Sequence, residues 1–243
     1  MYIRDKFDNT GVHEMKRHAA VATLILTTML AACQKREPAE AAPAAAAPAA
    51  ATAPAAAPAP SVPPAELTPE QQELAKKQAL LAYGVMEDKY INDPRGQWAS
   101  EAKASSVFGD EGGKTPSKSN LAQNAAGAAD GETWTNNNIE KGFDWLELGY
   151  ITPVNATEVR VVVPRGQGME AINKVEVQDT EGKWITVWEG LHSEKRDERG
   201  NRTWFIRTFD KTAYKVKGVK ITYANNLHHD YKVVDAVQLI GDK

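Results

Sequence analysis

From Trp98 to the C-terminus, apolar and polar residues alternate along short runs divided by turn residues. Asp144-Trp145-Leu146-Glu147-Leu148 is the first clear run. Thr157–Val163, Lys174–Gln178, Trp184–Trp188, Thr203–Thr208, Lys215–Tyr223 and Val233–Ile240 follow. Alternation of this kind sends successive side chains to opposite faces of a strand. Glu181-Gly182 and Arg199-Gly200-Asn201 supply turn chemistry between runs. Many short strands without helices between them predict an all-β antiparallel sandwich or barrel over residues 97–241. A stretch of that length can bury one core, and Trp184, Trp188 and Trp204 are assigned to it.

Ahead of the alternating region the period is helical. Thr68-Pro69-Glu70-Gln71 reads as a helix start: Thr68 caps, Pro69 suits the first helical position and Gln71 completes a capping box. The spacing predicts one short α-helix over 68–92. Leu74, Leu81 and Val85 share one face of it, and that face is expected to pack on the following domain.

The N-terminal third has a different pattern. Lys16-Arg17-His18 precedes an apolar run from Ala19 to Met29, which ends in Leu30-Ala31-Ala32-Cys33. A basic segment, a short apolar segment and small residues before a cut predict a secretory signal peptide over 1–32. The run is too short to cross a bilayer, which takes roughly 18 residues or more. Met15 directly precedes the basic trio, so residues 1–14 are expected to be an over-extended start. Residues 33–67 are dominated by alanine and proline. Frequent proline breaks helix, and without large apolar side chains no core forms, so a semi-rigid, disordered linker is expected. In polyproline II geometry, residues 37–65 of it would reach roughly 90 Å.

Composition narrows the function. The formal net charge of −3 is too mild to point to nucleic acid. Cys33 is the single cysteine, so the folded region has no disulfide. No nucleophile elbow, phosphate-binding loop or zinc-protease helix is present. Glu194, Asp197 and Glu198 are interleaved with Lys195, Arg196 and Arg199, which reads as a solvated charge run. His228-His229-Asp230 could offer imidazole to a transition metal. Adjacent side chains seldom converge, however, so a histidine-displaying loop is the expected arrangement.

Two resemblances add to this reading. Leu30-Ala31-Ala32-Cys33 resembles the bacterial lipobox, which implies a covalent lipid on Cys33 and attachment to a membrane. Gln34 after the cysteine, rather than aspartate, implies the outer membrane. Trp98-Ala99-Ser100 with Ala104-Ser105-Ser106, the loop Asn124 to Asp130-Gly131, Thr133-Trp134 and Asp144 to Gly149 are similar to segments of discoidin, or galactose-binding-like, domains. Pro164-Arg165, Ile172 and Gly182-Lys183-Trp184 continue the likeness, which spans about 97–241. It implies a jelly-roll β-sandwich of about eight antiparallel strands. It also implies a structural calcium ion (Ca2+) held by Asp130, Thr133 and Asp235, although Asp130 could equally cap a turn before Gly131. Arg165 matches a sugar-contacting arginine and Tyr231 a stacking aromatic. Asn137 and His229 are added as candidate hydrogen-bonding groups. The expectation is a lipid-anchored, non-enzymatic cell-envelope module that binds a glycan through loops at one end of the sandwich. The alternative is a structural or assembly lipoprotein that binds an envelope protein.

Overall fold

A computed structural model describes residues 67–110 and 114–243. Cys33, the signal peptide and the Ala/Pro-rich linker lie outside the described residues. The described chain is an antiparallel β-sandwich preceded by one helix, α1 (Pro69–Ile91). Its strands are β1 (Gly96–Trp98), β2 (Glu101–Ala104), β3 (Trp134–Thr135), β4 (Phe143–Pro164), β5 (Ile172–Asp179), β6 (Trp184–Glu189), β7 (Arg202–Thr208), β8 (Val216–Ala224), β9 (Val233–Val234) and β10 (Ala236–Asp242).

β4 builds both layers. Its first half pairs with β2 and β8, and β8 continues through β5 to β6. Its second half pairs with β10 and β7, and β10 carries β1 on its far edge. The predicted strands Asp144–Leu148 and Thr157–Val163 are therefore one 22-residue strand. Its inward side chains change parity along the way. Leu146, Leu148, Tyr150, Val154 and Ala156 are buried first, then Val159, Val161 and Val163. An irregularity opposite Ile240/Gly241 makes this flip, because one extra residue in a strand reverses which face each later side chain takes. Phe205, Val219, Ile221, Val237 and Leu239 fill the space between the layers. Each such side chain contributes about 1.5–3 kcal/mol when fully buried.

Two sequence expectations change. The helix starts as predicted, with Thr68 and Gln71 forming a reciprocal capping box. It docks, however, by the face opposite to the expected one. Leu74, Leu81 and Val85 are exposed, whereas Tyr83 is buried. Tyr83 donates its hydroxyl hydrogen bond to Arg202 O at 3.0 Å, and its ring occupies the space where a side chain on Gly200 would stand. Tyr90 packs on Trp204 with ring centroids 5.2 Å apart. It also stacks under the guanidinium of Arg160, which pairs with Asp93 at 3.0 Å. Phenol rings bury as much area as aliphatic side chains and carry a polar end that can be satisfied at the boundary. Trp204 consequently lies under the helix on the outside of its sheet. Trp184 stands beside Lys220 on the outer side of the other sheet. Of these three tryptophans, Trp188 packs against the core; the fully buried tryptophan is Trp134.

Gly241 sits at the irregularity that lets β10 follow β4. A Cβ there would lie 2.5 Å from Asn155 O and 2.9 Å from Ala156 Cα, and backbone atoms cannot rotate away. Gly241→Ala is expected to destabilise the domain by about 2 kcal/mol or more, measured as a lowered urea midpoint at unchanged slope.

Candidate functional site

The predicted single strand Val233–Ile240 is broken at Asp235 into β9 and β10. β9 pairs with β3 as a two-stranded ribbon, Trp134 opposite Val234 and Thr135 opposite Val233. Residues along the ribbon alternate between two environments, as strand geometry requires. Trp134, Asn136, Lys232 and Val234 point inward and are buried. Thr133, Thr135, Tyr231, Val233 and Asp235 line a cleft.

The inward face is held by one carboxylate. Asp144, 1% exposed, accepts from Ser105 Oγ at 2.6 Å and Ser106 Oγ at 2.8 Å. It also accepts from Asn136 Nδ2 at 2.8 Å and Asn225 Nδ2 at 3.0 Å. Burial alone would raise its pKa. The hydrogen bonds from Ser105, Asn136, Ser106 and Asn225 outweigh burial and hold the carboxyl below its ordinary value. Asn136 Oδ1 accepts from the backbone N–H of Lys232 at 2.8 Å, linking the carboxylate to the ribbon. The buried Lys232 ammonium donates to the carbonyls of Ile139 at 2.9 Å, His228 at 2.8 Å and Asn225 at 3.3 Å. Desolvation lowers the Lys232 pKa, while the three carbonyls satisfy its N–H groups.

Above the ribbon, the turn after β4 presses close. A Cβ on Gly168 would lie 2.6 Å from Lys232 Cα, so only glycine permits the approach. This turn carries Arg165, whose backbone N–H donates to Asn201 O at 2.7 Å. Arg165 has φ +52° and is the only non-glycine residue with positive φ among the described residues. Arg165, Gln167, Asn201 and Arg202 form the wall facing the ribbon. The cleft measures about 660 Å³, within the range of small-molecule sites. Phe108 meets the Tyr231 ring edge-on, with centroids 4.9 Å apart at 84°, which limits the ring's rotation. Arg202 spans the cleft and the helix: its Nε donates to Asp235 Oδ2 at 3.1 Å and its Nη1 to Glu87 of α1 at 3.4 Å.

Arg165, Tyr231, Thr133 and Asp235 thus meet in one cleft. Asn137 and His229 do not line it. Asn137 Nδ2 donates to Asp110 Oδ1 at 2.8 Å and its backbone N–H to Ser106 Oγ, whereas His229 is exposed. The residues implied for calcium do not fit that ion as they stand. Asp235 Oδ1 accepts from the backbone N–H groups of Asp130 and Gly131, each at 3.1 Å, and Oδ2 accepts from Arg202. Asp130 Oδ1 caps the turn through Glu132 N at 2.9 Å, and the Thr133 carbonyl accepts from Asn124. Calcium needs several oxygens turned toward one point, whereas both Asp235 oxygens, Asp130 Oδ1 and the Thr133 carbonyl are engaged by N–H donors. Residues missed by sequence reasoning are Gln167, Asn201 and Arg202. Asn201 and Arg202 lie in or beside the turn signal Arg199-Gly200-Asn201, and Gln167 follows Pro164-Arg165, but nothing in their spacing shows that the two segments face each other.

The sandwich is similar to several solved structures. The F5/8 type C domain of a Bacteroides fragilis protein is 16% identical, over 62% of this chain and 99% of that one, with a TM-score of 0.46. Chitosan-binding module 1 from a Paenibacillus sp. IK-5 chitosanase/glucanase is 14% identical, over 59% and 96%, at 0.44. The family 32 CBM from C. perfringens NanJ, in complex with galactose, is 17% identical, over 59% and 98%, at 0.42. No protein-family model and no curated protein sequence matches the chain.

Asp144→Ala leaves the Ser105, Ser106, Asn136 and Asn225 donors without their acceptor and is expected to cost about 3–5 kcal/mol, read from urea unfolding. Because the folded carboxyl titrates below its unfolded value, its stabilisation is complete above about pH 4. It declines as pH falls through the folded pKa. Asp144→Asn should flatten that acid limb of the stability curve.

Proposed function

We propose that this chain is a non-enzymatic glycan-binding module held at the cell envelope by a lipid on Cys33. One observation carries the binding half: ribbon alternation places Tyr231, Thr133 and Thr135 on the same cleft as the Arg165 guanidinium. Sugar rings offer hydroxyls to polar side chains and an apolar C–H face to an aromatic ring, and this lining supplies both kinds of partner. Gln167 and Asn201 add amides that donate and accept. The attachment half rests on the sequence alone: the lipobox-like Leu30-Ala31-Ala32-Cys33, Gln34 and an Ala/Pro-rich stretch support attachment at the outer membrane.

A second reading, attachment to an envelope protein, is favoured by the helix. Leu67, Leu74, Leu81 and Val85 of the α1 region are each more than half exposed, Leu81 reaching 71%. Apolar side chains concentrated along one helix mark interaction sites in soluble proteins.

Two measurements test the proposal. On a glycan array followed by calorimetry, the soluble domain from residue 66 should bind at least one glycan. Arg165→Ala with Tyr231→Ala should weaken that binding by about tenfold or more, roughly 1.4 kcal/mol, at unchanged melting temperature. Binding that survives the double substitution places the site elsewhere. In cells, Cys33→Ser should move the protein from the membrane fraction to the soluble fraction and abolish incorporation of labelled palmitate.

A further inference from the structure

Every other arginine among the described residues pairs with a carboxylate. Arg95 and Arg160 pair with Asp93, Arg196 with Glu198, Arg199 with Asp197, Arg202 with Asp235 and Glu87, and Arg207 with Glu194. Arg165 has no carboxylate or hydrogen-bond partner for its guanidinium among the described residues. Its backbone nonetheless adopts a left-handed conformation that disfavours any side chain, at a cost of about 1 kcal/mol or more. Neighbouring turn positions with the same handedness, Gly166 at φ +69° and Gly168 at φ +80°, are glycines. A side chain kept where glycine would be more stable points to a role for that side chain rather than for the turn.

Within the lining, one charge is left unpaired. The ionisable carboxylate and guanidinium groups lining the cleft are Arg165, Arg202 and Asp235. Arg202 and Asp235 neutralise each other at 3.1 Å, leaving the Arg165 cation uncompensated within the lining. On the flanking segments, Asp130 and Asp230 carry charge but are not paired with Arg165; each accepts a backbone N–H of its own loop, from Glu132 and Tyr231 respectively. A guanidinium is a planar fork of N–H donors that matches a carboxylate two-on-two.

We infer that the ligand of this cleft is an acidic sugar, whose carboxylate is received by the Arg165 guanidinium while Tyr231 meets the ring. The inference rests on the glycan-binding reading above and specifies the substrate class of the same site.

The test uses the soluble domain from residue 66 with matched acid and neutral sugars: galacturonic acid and galactose, glucuronic acid and glucose, sialyllactose and lactose. Isothermal calorimetry should show at least one acid binding about tenfold more tightly than its neutral partner. That advantage should shrink as salt rises from about 0.05 to 0.5 M. Arg165→Gln should abolish the preference while leaving residual neutral binding. Arg165→Gly should lose the preference equally and raise the urea midpoint, because it relieves the left-handed strain. Neutral sugars binding as well as their acid partners, or Arg165→Gln weakening both alike, overturns the acidic specificity and leaves glycan binding standing. Binding of no sugar, acid or neutral, on the array or by calorimetry overturns both.

Discussion

The carboxylate of Asp144 lies among hydroxyls and amides drawn from three other parts of the chain: Ser105 and Ser106 after β2, Asn136 after β3, and Asn225 after β8. A buried charge persists only where its lone pairs are occupied. Those segments must therefore keep their positions or leave an unsolvated anion behind. Asn136 passes the constraint to the backbone of Lys232, and the Lys232 ammonium passes it to the carbonyls of Ile139, Asn225 and His228. One anion and one cation, both buried, thereby fix loops that contribute little hydrophobic area of their own.

The cleft is the other side of the same arrangement. When Asn136 and Lys232 face inward, strand geometry leaves Thr135, Tyr231 and Val233 facing outward. Asp235 then ends the ribbon: its backbone N–H turns to Val162 O at 2.9 Å and its side chain pairs with Arg202. Arg202 reaches Glu87 on α1, and Tyr83 of the same helix donates to the Arg202 carbonyl. Helix α1 is thus joined to the cleft wall by side-chain and backbone contacts to one residue.

The alternating runs were enough to predict an antiparallel sandwich or barrel, because a half-buried strand cannot bury its apolar face with any other period. The helix start was equally legible, because a capping box is satisfied within four residues. Long-range features were not. Asp144 read as an ordinary strand residue, since its hydrogen-bond donors lie up to 81 positions away in the sequence. Leu74, Leu81 and Val85 carried the helical period yet face solvent. The docking face is built by Tyr83 and Tyr90, whose value lies in partners contributed by Arg202, Arg160 and Trp204.

By itself, then, the sequence determined the elements whose signals are local: strand alternation, the cap on α1, turn residues, and Arg165 and Tyr231 as candidate contacts. Only the tertiary structure decided that these two residues share a cleft with Thr133 and Asp235, that Asn137 and His229 lie outside it, and that Arg202 pairs with Asp235. The reason is geometric. Periodicity reports which face of its own strand a residue occupies. The meeting of two turns and a ribbon depends on how buried charges far apart in the chain find their partners.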